Sequence, residues 1–443
     1  MPQDTSTVTN DSPAQTVNMG PIGRFLRATE IDTRLLGMLG ALMLIWLGFH
    51  FYGVFFNDFG AFLTPRNLWN LSVQTSSIGI MATGMVLVIV TRNIDLSVGA
   101  MLGVTAMIMG ILQVEILPKF LGLGHPMIWV LTVAVGITCG GIIGALQGWL
   151  IAYRGIPAFI VTLGGLLVWR GSAFLAAGGK TISPVDSTFA LLGGGPYGAV
   201  GATGSWIVGA LACVGIIYLL IAGRAQRRKH EFTLRPMWAE YFLGALGCGT
   251  ALGAVLLVNA YPWPKGIVKA WAEKTGTEVP PEGLFISHGF AIPVLILIVV
   301  GILMTILMTR TRFGRYVFAI GGNPEAAALA GINTRWVTLK IFSLMGMLAG
   351  LAGSVASARL NSATNALGVL DELYVIAAAV IGGTSLGGGI GTIYGAILGA
   401  LVMQSLQSGM VLIGFDTAIQ QIVVGCVLVL AVYLDNLYRR KAK

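Results

Sequence analysis

"AIPVLILIVVGILMTILMTRTRFGRYVFAIGGNPEAAALAGIN" (Ala291 to Asn333) holds an uncharged apolar run, then a knot of arginines, then a short alanine-rich stretch fenced by glycines. The run is about long enough to cross a bilayer core of about 30 Å as a helix. Arg310, Arg312 and Arg315 at its end mark the water-facing side of a span. The same alternation recurs along the chain, and it decides the fold class. Of 443 residues 56% are hydrophobic and 10% charged, with mean hydropathy +0.83. A soluble chain carries about a quarter charged residues. The chain reads as all-α, a polytopic transmembrane bundle, and the short-segment alternation of an outer-membrane barrel is absent.

Residues 1–20 are polar and aperiodic, part of a disordered N-terminal tail expected over 1–34. No cleavable leader fits, because the first apolar run begins near Leu35 and is span-length. A transmembrane domain is expected over 35–438, with spans near 35–56, 72–91, 95–115, 127–151, 157–177, 204–222, 239–260, 286–309, 338–358, 372–389, 391–412 and 417–435. With these twelve, four basic clusters fall on one side. They are Arg24 to Arg34, Arg224 to Arg235, Arg310 to Arg335, and the C-terminal run 439–443. That side is expected to be cytoplasmic, with both termini on it. Three lysines in the external loop 261–285 are diluted by Glu273, Glu278 and Glu282. The net charge of +9 is thus spent on topology, and no nucleic-acid motif competes for it. The 62 glycines suit close helix approach in lipid.

The alanine-rich stretch lies in the cytoplasmic link 310–337. Asn323 is a good N-cap, Pro324 suits the first helical position, and Glu325 complements the positive helix end. Gly331 can take the left-handed conformation that ends a helix. Two turns do not hold alone in water, so the helix packs on its own protein or docks into a partner.

"TRFGRYVFAIGGNPEAAALAGIN" resembles the cytoplasmic coupling segment of ribose/xylose-type permease subunits of bacterial ATP-binding-cassette (ABC) sugar importers. "NIDLSVGAMLG" (Asn93 to Gly103), "IPAFIVTLGGLLVWRG" (Ile156 to Gly171) and "AAAVIGGTSLGGGIGTIYGAILGAL" (Ala377 to Leu401) match in the same order. The resemblance covers roughly 72–178 and 288–436. It implies a bacterial inner-membrane permease, a ten-helix core with 180–290 as an insertion holding two extra spans, and a homodimer around one pore. It also implies separate ATPase subunits that bind the ATP and a periplasmic sugar-binding protein. Asn323, Pro324, Glu325, Ala326, Ala327 and Gly331 would couple to the ATPase. The insertion is similar to that of long xylose-permease-like members.

No enzyme is legible. "GGKT" (Gly178 to Thr181) lacks the leading glycine of a phosphate loop, with Phe174 in its place. His50, His125, His230 and His288 are scattered, and the four cysteines stand at no metal spacing. No catalytic residue, metal or resident cofactor is expected. Asp95 either caps the third span, with Ser97 in its first turn, or joins Asn93 and Ser97 in a gate or ATPase contact. Arg170 sits about 20 Å into its span, so it faces a cavity or snorkels outward. The glycine-rich "IGGTSLGGGIG" (Ile381 to Gly391) breaks two spans, leaving Thr384 and Ser385 as pathway hydroxyls or a plain tight turn. Gln404, Gln407, Gln420 and Gln421 bond between helices or line a pore.

A branched-chain amino-acid importer permease shares this architecture and is the alternative. An ion-coupled secondary transporter would show acids near the midplane. Asp95, Asp371, Glu372, Asp416 and Asp435 are all expected near span ends.

Overall fold

The computed structural model describes residues 20–57, 59–280 and 283–442, with no side-chain account of 21, 22, 57 or 434–442. Most of the N-terminal tail, Glu282 and the side chains of the C-terminal basic run lie outside the described residues. Every regular element described is helical. In chain order the first half holds α1 (Pro21–Thr29), α2 (Thr33–Asn57), α3 (Pro65–Val90), α4 (Val98–Ile111), α5 (Leu117–Leu121), α6 (Met127–Arg154) and α7 (Ala158–Ala176). Then come α8 (Ser187–Ala190), α9 (Gly201–Lys229), α10 (Met237–Asn259) and α11 (Lys265–Thr275). The second half holds α12 (Ile292–Arg310), α13 (Arg312–Gly322), α14 (Pro324–Leu329), α15 (Thr334–Arg359), α16 (Asp371–Ile381), α17 (Ile393–Leu412) and α18 (Thr417–Ala442).

Among the described residues ten helical stretches are long and apolar enough to cross a membrane, one of them running unbroken from α4 through α5 (Val98–Leu121). Two expected spans are not among them: 417–435, of which the described apolar part, Thr417–Tyr433, is shorter, and 372–389. The span expected at 372–389 is α16, an 11-residue helix about 16 Å long, followed by a glycine-rich turn. The expected span 95–115 likewise begins only at Val98. α4 starts late because residues 91–97 enter the bundle as non-helical chain, which is tolerated at that depth because protein covers it; 360–370 does the same ahead of α16, which the glycine-rich turn then ends at Ile381. Two long helices, α3 and α15, are each followed by such a segment and then by a helix that starts inside the bundle. The arrangement is reciprocal, with α6 packed along α15 and α17 along α3.

Glycine sets how closely the core helices approach. A Cβ at Gly140 or Gly144 of α6 would overlap the carbonyl oxygens of Gly346 or Phe342 on α15, and one at Gly346 or Gly350 would overlap α6 in return. Backbone meets backbone along this seam, where dispersion and not hydrophobic transfer holds helices together in lipid. α3 lies at the centre and is buried from Met81 to Val90 without a break. The α9–α10 hairpin hangs on the side, with few residues of either helix buried.

The basic clusters whose side chains are described collect at one end. Glu30 there receives Arg227 at 2.6 Å and Arg235 at 2.7 Å, tying the α1–α2 joint to the α9–α10 link. Those two guanidinium groups hold the Glu30 carboxyl down at about 2. α11 and the 261–288 loop lie at the opposite end, where Trp69 Nε1 donates to the Gly289 carbonyl at 2.8 Å.

Candidate functional site

At the basic end the capping signals form as the sequence implies. Asn323 Oδ1 accepts from the Glu325 and Ala326 amides, each at 3.0 Å, and Pro324 opens α14. Gly331 adopts φ +83°, and the Ile332 amide closes onto the Ala327 carbonyl at 3.1 Å. The side-chain directions differ from expectation. Ala327, placed above among the coupling residues, is 4% exposed and packs into its own protein's core. The outward face carries Glu325, Ala326 and, above all, Leu329, which is 90% exposed. Sequence reading missed Leu329; a lone leucine in an alanine helix on a water-facing link was the available signal.

What ties α14 inward is a residue that sequence reading also missed. Arg92 stands at φ +63°, left-handed for a residue with a Cβ. From there its Nε donates to the Gly321 carbonyl at 2.9 Å and Nη2 to the Gly322 carbonyl at 2.6 Å. These are free carbonyls at the C-terminus of α13, where a cation is favoured. The Gly389 amide donates to the Val90 carbonyl at 2.9 Å. A Cβ at Gly321 would overlap that same carbonyl. The end of α3, the end of α13 and the 382–391 turn therefore meet backbone to backbone at Val90, Gly321 and Gly389, with the Arg92 side chain alongside. Arg92 was legible only as one more positive charge.

The 382–391 turn closes on itself. The Ser385 amide donates to the Ile390 carbonyl at 2.9 Å and its hydroxyl to the Gly388 carbonyl at 3.2 Å. Thr384 Oγ1 is buried with no partner. Asn93 is spent on its neighbour, donating to Thr91 at 3.1 and 3.2 Å. These three residues lie at the basic end and are not gathered around Asp95.

Asp95 is fully buried. It is not the cap of α4: Ser97 holds that position, and Asp95 Oδ1 accepts the Ser97 amide at 2.9 Å and its hydroxyl at 2.6 Å. Gln147 Nε2 of α6 donates to Ser97 Oγ at 2.9 Å. Seven residues separate Gln147 from the end of α6, so this knot lies about 10 Å inside. The start of α16 lies against the start of α4, where a Cβ at Gly99 would overlap Glu372 Oε2 and the Gly368 carbonyl. Glu372 is 7% exposed. Asp95, Asp371 and Glu372 are thus interior, contrary to the expectation from span ends, because the helices they precede begin inside. Acid placement does not by itself exclude ion coupling.

Arg170 does not snorkel. Nη1 donates to the Leu367 carbonyl at 2.6 Å and to that of Asn365 at 3.2 Å, while Nη2 donates to Gly368 at 3.0 Å. One guanidinium thereby binds the re-entrant segment 360–370 just before α16. Beyond that segment is a cavity of about 250 Å³ lined by Gln74, Ser77, Thr364, Asp371, Gln404 and Gln407, among others. It joins amides and hydroxyls with the opposite charges of Arg359 and Asp371, from α3, the end of α15, the 360–370 segment, α16 and α17. Gln420, by contrast, turns back to the Phe415 carbonyl at 2.8 Å. Among the described residues no group of His, Cys, Asp and Glu could hold a metal ion.

A many-helix membrane bundle with re-entrant half-helices, an interior polar cavity and a short helix tied to its basic end has the architecture of a transport protein. The family described as the permease component of branched-chain amino acid transport systems matches residues 67–432, and the chain belongs to it. It is a multi-pass inner-membrane permease component. Over 95% of its length it is 35% identical to the xylose transport system permease protein XylH of Escherichia coli K12, covering 96% of that protein. XylH of Haemophilus influenzae is 36% identical over 86% of this chain and 92% of its own. The ribose import permease protein RbsC of Escherichia coli K12 is 32% identical over 85% and 87%. No solved structure matches.

Proposed function

We propose that the chain is the membrane-spanning subunit of an ABC importer for xylose or a closely related monosaccharide, acting as a homodimer with two ATPase subunits and a periplasmic binding protein. The observation that carries the reading is α14: a two-turn helix, capped at both ends and anchored by Ala327 and Arg92, that holds Leu329 outward with almost nothing of the described residues upon it. Such a helix suits a hydrophobic groove on a separate subunit. A push on α14 reaches the Gly321 and Gly322 carbonyls, then Arg92, then 93–97 and the start of α4. The Gly389–Val90 contact carries it to the α16–α17 turn as well. The polar cavity offers amides and hydroxyls, with Arg359 and Asp371 beside them, of the kind that bond a polyol. Sugar identity follows the names of the relatives, of which XylH of Escherichia coli K12 aligns over 95% of the chain.

Cells lacking their own pentose uptake, given this chain with a cognate ATPase and binding protein, are expected to accumulate labelled xylose. Accumulation of leucine in its place would establish the branched-chain amino-acid reading that the family description shares.

In this reading the basic end is cytoplasmic, and both termini lie there. Single cysteines at Gln226 and Thr277, in a background without the native four, are expected to react with an impermeant maleimide from inside and from outside respectively. Reaction of both from one face would remove the orientation.

Arg92→Ala is expected to lower uptake about tenfold, the weight of one charge-assisted hydrogen bond at about 1.5 kcal/mol, because water can replace the exposed one to the Gly322 carbonyl but not the part-buried one to Gly321. Arg92→Gly, which accepts φ +63° without strain, is expected to fall equally. Recovery of transport by glycine alone would mean that the backbone turn matters and the guanidinium does not.

A further inference from the structure

The import reading makes no use of a groove between α9 and α10 at the basic end. It encloses about 970 Å³ between Ile217, Leu220 and Ile221 on one helix and Tyr241, Gly244 and Ala245 on the other. Small residues keep it open: a Cβ at Gly244 would meet only Leu220 Cδ1, at 3.4 Å. From Ile217 to Arg228 the wall rises about 17 Å, close to the depth of one leaflet. Both helices face outward from the bundle over nearly all their length, so the groove opens to lipid.

Its rim is basic, and the cations divide into two sets. Arg224 is committed to Glu240 at 2.9 Å and to the Arg235 carbonyl at 3.2 Å. Arg227 and Arg235 are committed to Glu30. Arg228 and Lys229 are exposed and form no ion pair among the described residues, with Glu231 the remaining acid of the link. Two free cations thus stand at headgroup height over an apolar trough one leaflet deep.

We propose that this groove binds one anionic phospholipid, its acyl chains along α9 and α10 and its phosphate on Arg228 and Lys229. Apolar walls alone would hold any lipid; the unpaired cations select a negative headgroup, as basic pockets between membrane helices do. The proposal rests on the membrane assignment and not on the sugar reading, so it stands or falls separately from transport.

The test uses the full-length protein, delipidated in detergent and titrated with fluorescent phosphatidylglycerol. Saturable binding of one lipid is expected, with phosphatidylcholine much weaker. Arg228→Gln together with Lys229→Gln is expected to weaken binding roughly thirtyfold, at about fivefold for each charge near the headgroup plane. Both side chains are exposed, so the thermal midpoint should not move. Ala245→Trp, which fills the trough, should weaken both lipids, and Lys265→Gln with Lys269→Gln at the opposite end should weaken neither. Equal binding of the two lipids, or of wild type and the double variant, overturns the proposal. So does full displacement by millimolar inorganic phosphate, which would make the site one for a free anion.

Discussion

Leu329→Asp is expected to cut import by about thirtyfold or more while the protein reaches the membrane in normal amounts. Leu329 touches almost nothing of its own chain at 90% exposure, so its loss costs the fold little. If it is the apolar anchor in an ATPase groove, a buried charge there removes an interface hot spot, worth about 2 kcal/mol or more. Ala327→Trp is the counterpart. Ala327 is buried in the same two turns, and an indole there overfills the protein's own core at about 1–3 kcal/mol. That variant is expected to lose membrane abundance, and import only in proportion. Co-purification of the ATPase, measured with uptake and abundance, separates the two. Normal uptake by Leu329→Asp would reduce α14 to a connector.

Arg170→Lys is expected to lower import about tenfold to a hundredfold with the charge preserved. The guanidinium spreads over the carbonyls of Asn365, Leu367 and Gly368 from two nitrogens, a fork that one ammonium cannot reproduce. Each interior carbonyl left without a donor costs about 1–3 kcal/mol. A lysine has little room to compensate: even a Cβ added at Gly103 would press on the Leu367 carbonyl at 2.8 Å and on Arg170 Nη1 at 3.1 Å. The segment released is the one that places α16, so transport should fall further than thermal stability. Near-wild-type uptake by the lysine variant would show that the fork is not needed.

These two residues illustrate what was legible. The cap of α14 was readable to the residue, because Asn323, Pro324 and Gly331 act through backbone bonds within a few positions. Which of its alanines turns inward was not, since three consecutive alanines, Ala326 to Ala328, are identical in size and polarity. Arg170 was readable as an anomaly, a charge in an apolar span, but its partners stand almost 200 positions away. Span counting failed at 372–389 for a related reason. Hydropathy measures how apolar a run is, and the glycine-rich turn after Ile381 is apolar enough to pass as helix.

From sequence alone came the fold class, the membrane location, the positions of most spans, the clustering of positive charge and the capped helix between two of them. Each follows from local composition, or from hydrogen bonds within a turn or two. Only the tertiary structure decided that 91–97 and 360–370 re-enter the bundle, that Asp95 and Glu372 are interior, and that Arg92 joins α13 to α3. Those facts depend on which backbone meets which. In lipid, where apolar surface gains little by contact, that choice is made by glycines that permit backbone approach and by polar groups that must find partners across the sequence.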